Sequence, residues 1–94
     1  MAFTATSFQP IGGQARRGTA PQMFSYKTTD TAATVDTADY FLSAINLLDI
    51  GDVIYRVTTS SDALSTAGWH VVKDKTATSI DTTDATVATV TDTD

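Results

Sequence analysis

The chain has 94 residues, 41% of them hydrophobic, no Cys and a net charge of −5. That length bounds it to one domain; the lack of thiols excludes a disulfide framework, and a single His leaves no ligand set for a structural zinc. No apolar run reaches the ~18 residues that span a bilayer, no secretory signal opens the chain, and an acidic balance argues against nucleic acid as the main partner.

Residues 1–23 read as an extended N-terminal docking arm and residues 24–94 as a small β-rich body. Up to Thr29 the chain carries Arg16, Arg17 and Lys27 and no acid; from Asp30 onward come all eleven acids, every one Asp, against Arg56, Lys73 and Lys75. The arm holds Pro10, Gly12, Gly13, Gly18 and Pro21 at close spacing, which breaks regular structure. Its large apolar residues, Phe3, Phe8, Ile11 and Met23, follow no period. A solvating tail is poor in aromatics, so these residues, with Arg16 and Arg17, are candidate contacts to a partner surface.

Phe24, Tyr26 and Thr28 alternate with Ser25, Lys27 and Thr29, the period of a strand. Asp30-Thr31 suggests a turn, and residues 32–35 a short extended piece. Asp36 or Thr37 then caps the one expected helix. Phe41, Ile45 and Leu48 fall at i, i+4 and i+7 on its apolar face, and the helix ends before Gly51. Residues 50–58 form the clearest strand, with Val53, Tyr55 and Val57 on the face assigned to the core and Ile54, Arg56 and Thr58 on the other. A polar loop over 59–67 leads to a second strand from Trp69 to Val72 or Lys73, a hairpin wider than the tight two-residue kind. Trp69 is expected to pack against Phe41 and Ile45. Residues 74–84 are turn-rich around Ile80, and 86–91 form a last strand ending in a frayed Asp92-Thr93-Asp94. Nineteen Thr and no Glu favour strands over helices. The fold class is therefore β-rich α+β: a small sheet or partly open barrel of four to five short strands with one short helix, plus the arm.

No catalytic set is visible. His70 sits beside Trp69 in a strand and reads as a partly exposed strand residue. Ser60, Ser61 and Asp62 share a loop with no nucleophile elbow or base. Gly12-Gly13 and Gly18 lack the Gly-Lys-Ser/Thr ending of a phosphate loop. The pairs Asp49/Asp52, Asp81/Asp84 and Asp92/Asp94 lack the ligand order and closing Glu of a calcium loop and read as turn formers. The chain is thus expected to be neither an enzyme nor a cofactor or metal carrier.

Between Tyr26 and Val57 the sequence resembles small virion proteins of tailed bacteriophages. The residues that carry the resemblance are YKTTD at 26–30, Val35 with Tyr40-Phe41, and LDIGDVI at 48–54. In size, Thr/Ala content and lack of Cys, the chain is also similar to lambda-type head decoration (cement) proteins, which have an extended N-terminal arm and assemble as trimers on the capsid. The resemblance implies a virion structural protein, a decoration protein on the outer capsid surface. Its partners would be the major capsid protein and further copies of itself in a trimer, with no nucleic acid and no membrane. The alternative is a head-fibre or tail-associated component, or an adhesion module.

Overall fold

A computed structural model of the chain describes Phe3, residues 5–11 and residues 21–88. Arg16, Arg17, Val90 and the terminal Asp92-Thr93-Asp94 lie outside the described residues.

The sheet forms around two runs of β-branched and aromatic residues. Strands β2 (Met23–Thr28) and β3 (Val53–Ser60) lie parallel, with Phe24 opposite Ile54 and Tyr26 opposite Arg56. A parallel pair needs a long crossover, and residues 29–52 supply it. Antiparallel partners extend the sheet on both sides. The short edge strand β1 (Phe8–Pro10) pairs with β2, and β4 (Ala63–Lys75) pairs with β3. The outer side of β4 takes β5 (Ile80–Thr82) near one end and β6 (Thr86–Ala88) near its middle. The result is an open six-stranded sheet with one short helix among the described residues, a β-rich α+β fold. Two of the six strands lie outside the expected set: β1, in the segment read as the arm, and β5, in the stretch read as turns.

Three local expectations are corrected. The helix lies at Ala32–Val35 (α1), where an extended piece is expected, and Thr31 caps it by accepting from the Thr34 N–H. The expected helix beyond Asp36 is instead a series of turns and one 3-10 turn, Leu42–Ala44. Asp39 explains the interruption. Its φ of 66° is left-handed, and no α-helix runs through such a residue. It is held there from across the molecule. Its N–H donates to the Ile80 carbonyl (2.7 Å), and its carboxylate accepts from Ser79 Oγ (2.7 Å) and the Ile80 N–H (2.9 Å). Phe41, Ala44 and Leu48 still point inward, so the apolar face expected of a helix is presented by turns.

The third correction is the β3–β4 connection. It is a two-residue hairpin, with Ser60 opposite Ala63 and a register shift between Thr58 and Thr59. Ser61 and Asp62 have φ of 52° and 67°, the paired left-handed geometry of a type I′ turn. Neither is Gly or Asn, so the usual sequence signal is missing. On the other side of β4, Gly68 admits β6. A Cβ there would sit 2.7 Å from the Thr86 carbonyl oxygen, so only glycine allows so close a backbone approach.

The crossover covers one face of the sheet. Val35, Phe41, Ala44 and Leu48 pack on Phe8, Phe24, Tyr26, Ile54, Val72 and Ile80. Phe3 joins this core, stacked on Tyr26 at 5.3 Å and edge-on to Phe8 at 5.4 Å, while Phe8 stacks on Phe24 at 4.9 Å. Two of the arm's anchor residues are therefore engaged inside the body. The burying face of β3 is also the reverse of the expected one. Ile54, Arg56 and Thr58 are buried, whereas Val53, Tyr55 and Val57 are only part-buried. Trp69, expected to pack against Phe41 and Ile45, is exposed, as are Val71, Ile50 and Val87.

Candidate functional site

Turning Arg56 inward builds a polar network beneath the crossover. Arg56 Nε donates to His70 Nε2 at 3.0 Å, and its Nη1 donates to Thr66 Oγ1 at 3.0 Å and to Thr58 Oγ1. Thr58 Oγ1 donates on to the Asp30 carbonyl at 2.8 Å, tying β3 to the start of the crossover. His70 Nε2 accepts, so its proton sits on Nδ1, which donates to the Thr83 carbonyl at 3.0 Å. His70 is thus fully buried, not the part-exposed residue expected. Burial, more than the adjacent guanidinium, holds its pKa below the usual imidazole range. Burial likewise lowers the Arg56 pKa. Asp36 lies near both groups, and burial followed by a hydrogen bond to Asp84 pushes its carboxyl up.

A second chain of bonds runs through the aromatic core. Tyr40 donates its hydroxyl to Asp30 Oδ2 at 2.6 Å, so at the 2.8 Å contact between the two hydroxyls Tyr26 is the donor. Desolvation, then these hydrogen bonds, raise the Tyr40 pKa. Asp52 is a third buried anchor. Its carboxylate accepts from the Gln22 and Asp49 N–H groups, both at 2.9 Å, and fixes the entry to β2 beside the entry to β3. All three arrangements join backbone segments to one another. Among the described residues no three His or Asp side chains come within metal-binding range of one another. Ser60, Ser61 and Asp62 are exposed at the hairpin tip.

What the fold leaves uncovered is apolar surface on both of its sides. On the open face of the sheet, Val53 pairs with Val71, Tyr55 with Trp69 and Thr59 with Leu64. The Tyr55 and Trp69 rings lie 5.6 Å apart, and Trp69 and Val71 are each 37% exposed. A cavity of about 330 Å³ opens on this face, lined by Ser25, Lys27, Tyr55, Val57, Thr59 and Leu64 among others. On the opposite side, the outer surface of the crossover exposes Leu42, Leu47 and Ile50 at 41, 57 and 60%, within a segment that also carries Asp39 and Asp49.

The residues singled out as an arm separate into three groups. Phe8 lies in the core, and the part-buried Phe3 packs against it. Ile11 and Met23 are exposed together at the sheet margin, where the Ile11 N–H donates to the Met23 carbonyl at 2.9 Å. Arg16 and Arg17 lie outside the described residues. The open-face residues were missed because Val53, Tyr55 and Trp69 look like core. The available signal was that β3 is apolar at positions of both parities, more than a strand with one covered face needs. Compared with protein-family models, curated proteins and solved structures, the chain finds no match.

Proposed function

We propose that this chain is a decoration protein of a tailed-phage head, binding the outer surface of the shell and stabilising it. The observation that supports this most is apolar exposure on both sides of a body of under 100 residues. Exposed apolar surface of that kind marks interaction sites, and so small a body gains stability by being covered. The resemblance of residues 26–57 to tailed-phage virion proteins supplies the particle, and the major capsid protein is the partner.

Docking is assigned to the N-terminal margin. Ile11 and Met23 present side chains beside the edge strand β1, and Arg16 and Arg17 follow Ile11 closely in sequence to pair with acids on the shell. Single exposed ion pairs contribute about 0–1 kcal/mol and are screened by salt. Repetition over many subunits turns such weak contacts into firm attachment. The test is a binding titration of the purified chain on undecorated phage heads across salt concentration, followed by electron microscopy of the heads. Arg16→Gln combined with Arg17→Gln is expected to weaken binding several-fold at low salt and less at high salt, with an unchanged melting curve. Heads that stay bare at every concentration would sink the proposal, and density confined to one vertex or the tail would favour a fibre or tail component.

A further inference from the structure

We propose that copies of this chain associate head to tail, the open sheet face of one copy seating on the outer surface of the next copy's crossover. The inference rests on the assembly reading above and goes beyond it by assigning the two surfaces that meet.

The two surfaces differ in kind and lie on opposite sides of the same sheet. The open face offers a shallow aromatic and aliphatic platform made of Val53, Tyr55, Trp69 and Val71, part-exposed to exposed. The open-face positions of β2 and β3 carry one charge, the exposed Lys27, and those of β4 and β5 carry Lys73 and Asp81, which pair with each other. Among the described residues Lys27 has no ion-pair partner, since the one salt bridge joins Lys73 to Asp81 at 3.9 Å. The crossover offers the complement. Leu42, Leu47 and Ile50 project outward because Phe41, Ala44 and Leu48 point inward, and the acids that flank them are the exposed Asp39 and the half-buried Asp49, with Asp36 half-buried nearer the helix α1.

Aliphatic side chains on an aromatic platform, with carboxylates opposite an unpaired ammonium, match in both polarity and sign. Pairing two open faces instead would bring two unpaired Lys27 residues to one interface, where Asp81 is already engaged by Lys73, and would leave both crossovers bare. One copy cannot cover its own patch, because the sheet stands between them. A contact between two different surfaces is heterologous, so it closes into a ring or continues as a chain according to the rotation between copies.

A heterologous contact makes a prediction that a symmetric one does not. Val71→Asp damages the platform and leaves the crossover intact, whereas Leu47→Lys does the reverse. Both side chains are exposed, and circular dichroism checks that each variant is folded. If Val71→Asp fails to fold, Lys27→Glu replaces it as the platform variant. The measurement is mass by light scattering and sedimentation equilibrium on the full chain, without particles. The wild type should exceed monomer mass at tens of micromolar, and each variant alone should associate at least about tenfold more weakly, a change of ~1.4 kcal/mol. An equimolar mixture of the two should form a 1:1 pair that grows no further, because one intact platform meets one intact crossover. A monomeric wild type, a Leu47→Lys variant that associates like wild type, or a mixture no larger than its components would each overturn the proposal. The two readings fail separately. Self-association with bare heads sinks only the decoration role, and decorated heads with a strictly monomeric chain sink only the head-to-tail contact.

Discussion

The two faces of β3 are the comparison from which most can be learned. Val53, Tyr55 and Val57 are more apolar than Ile54, Arg56 and Thr58, yet the second set is the buried one. Hydrophobicity alone picks the wrong face because it treats Arg56 as a bare charge. In the folded chain Arg56 reaches His70, Thr66 and Thr58, and Thr58 reaches the Asp30 carbonyl. A buried polar group joined to partners in this way loses most of its desolvation penalty, whereas an unsatisfied one does not. The face left open keeps its apolar cross-strand pairs, such as Tyr55 with Trp69, and contact with another molecule is what we propose for it.

The largest expected effect tests that contrast on two adjacent residues. Arg56→Ala removes the hub of the network, leaves His70 and two Thr hydroxyls short of a partner, and opens a cavity. It is expected to cost about 3–5 kcal/mol, the range for breaking a buried network. Tyr55→Ala, one residue away on the open face, should cost about 1 kcal/mol or less. Chemical melts of both variants make the comparison, and a Tyr55→Ala loss equal to that of Arg56→Ala would break it. Trp69→Ala belongs with Tyr55→Ala, because Trp69 is exposed.

A similar contrast runs along the N-terminal segment. Phe8→Ala should cost about 3–5 kcal/mol, as for buried aromatic truncations, because its ring is stacked on Phe24 and only 6% exposed. Ile11→Ala, three residues on and 42% exposed, should leave the melt within about 0.5 kcal/mol. Equal effects would show that the segment acts as one unit.

The pH dependence is smaller and has a defined sign. His70 has a lower pKa folded than unfolded, so the folded state favours neutral imidazole. Its contribution is fully present above the unfolded value near 6.5 and is lost as the pH falls below it, with a slope of at most about 1.4 kcal/mol per pH unit. Protonation would also set an Nε2–H against the Arg56 Nε–H. Asp36 acts in the opposite direction. Its folded pKa is raised, so proton uptake as the pH falls through that value favours the folded state. Urea melts from pH 8 to pH 4 should show a decline beginning near pH 6.5 that His70→Gln abolishes. A decline retained in His70→Gln would assign the titration elsewhere.

The smallest effect concerns the hairpin tip. Asp62 holds φ at 67°, a conformation that costs a non-glycine residue on the order of 1 kcal/mol. Asp62→Gly should therefore stabilise the chain by a few tenths to about 1 kcal/mol, read as a small rise in melting temperature. A loss of stability would show that the Asp62 side chain does more in the turn than the geometry requires.

Alternation and β-branched content identified the strands β2 and β3, because period two is a local property of the chain. Helical spacing, a different period, placed Phe41 and Leu48 inward. It did not reach the element that carries them, since the left-handed Asp39 is held by Ser79 and Ile80, forty and more residues away. The tight turn at Ser61-Asp62 was hidden for a related reason: the register of the β3–β4 pair forces it without glycine. β1 could not be read from Phe8-Gln9-Pro10 alone, because three residues make a strand only when β2 lies beside them. Composition indicated the fold at the coarsest level, a small β-rich unit. Which face of β3 is core, and so which apolar residues remain outside to meet another molecule, was decided by the tertiary structure, because only the crossover determines which side of the sheet loses its water.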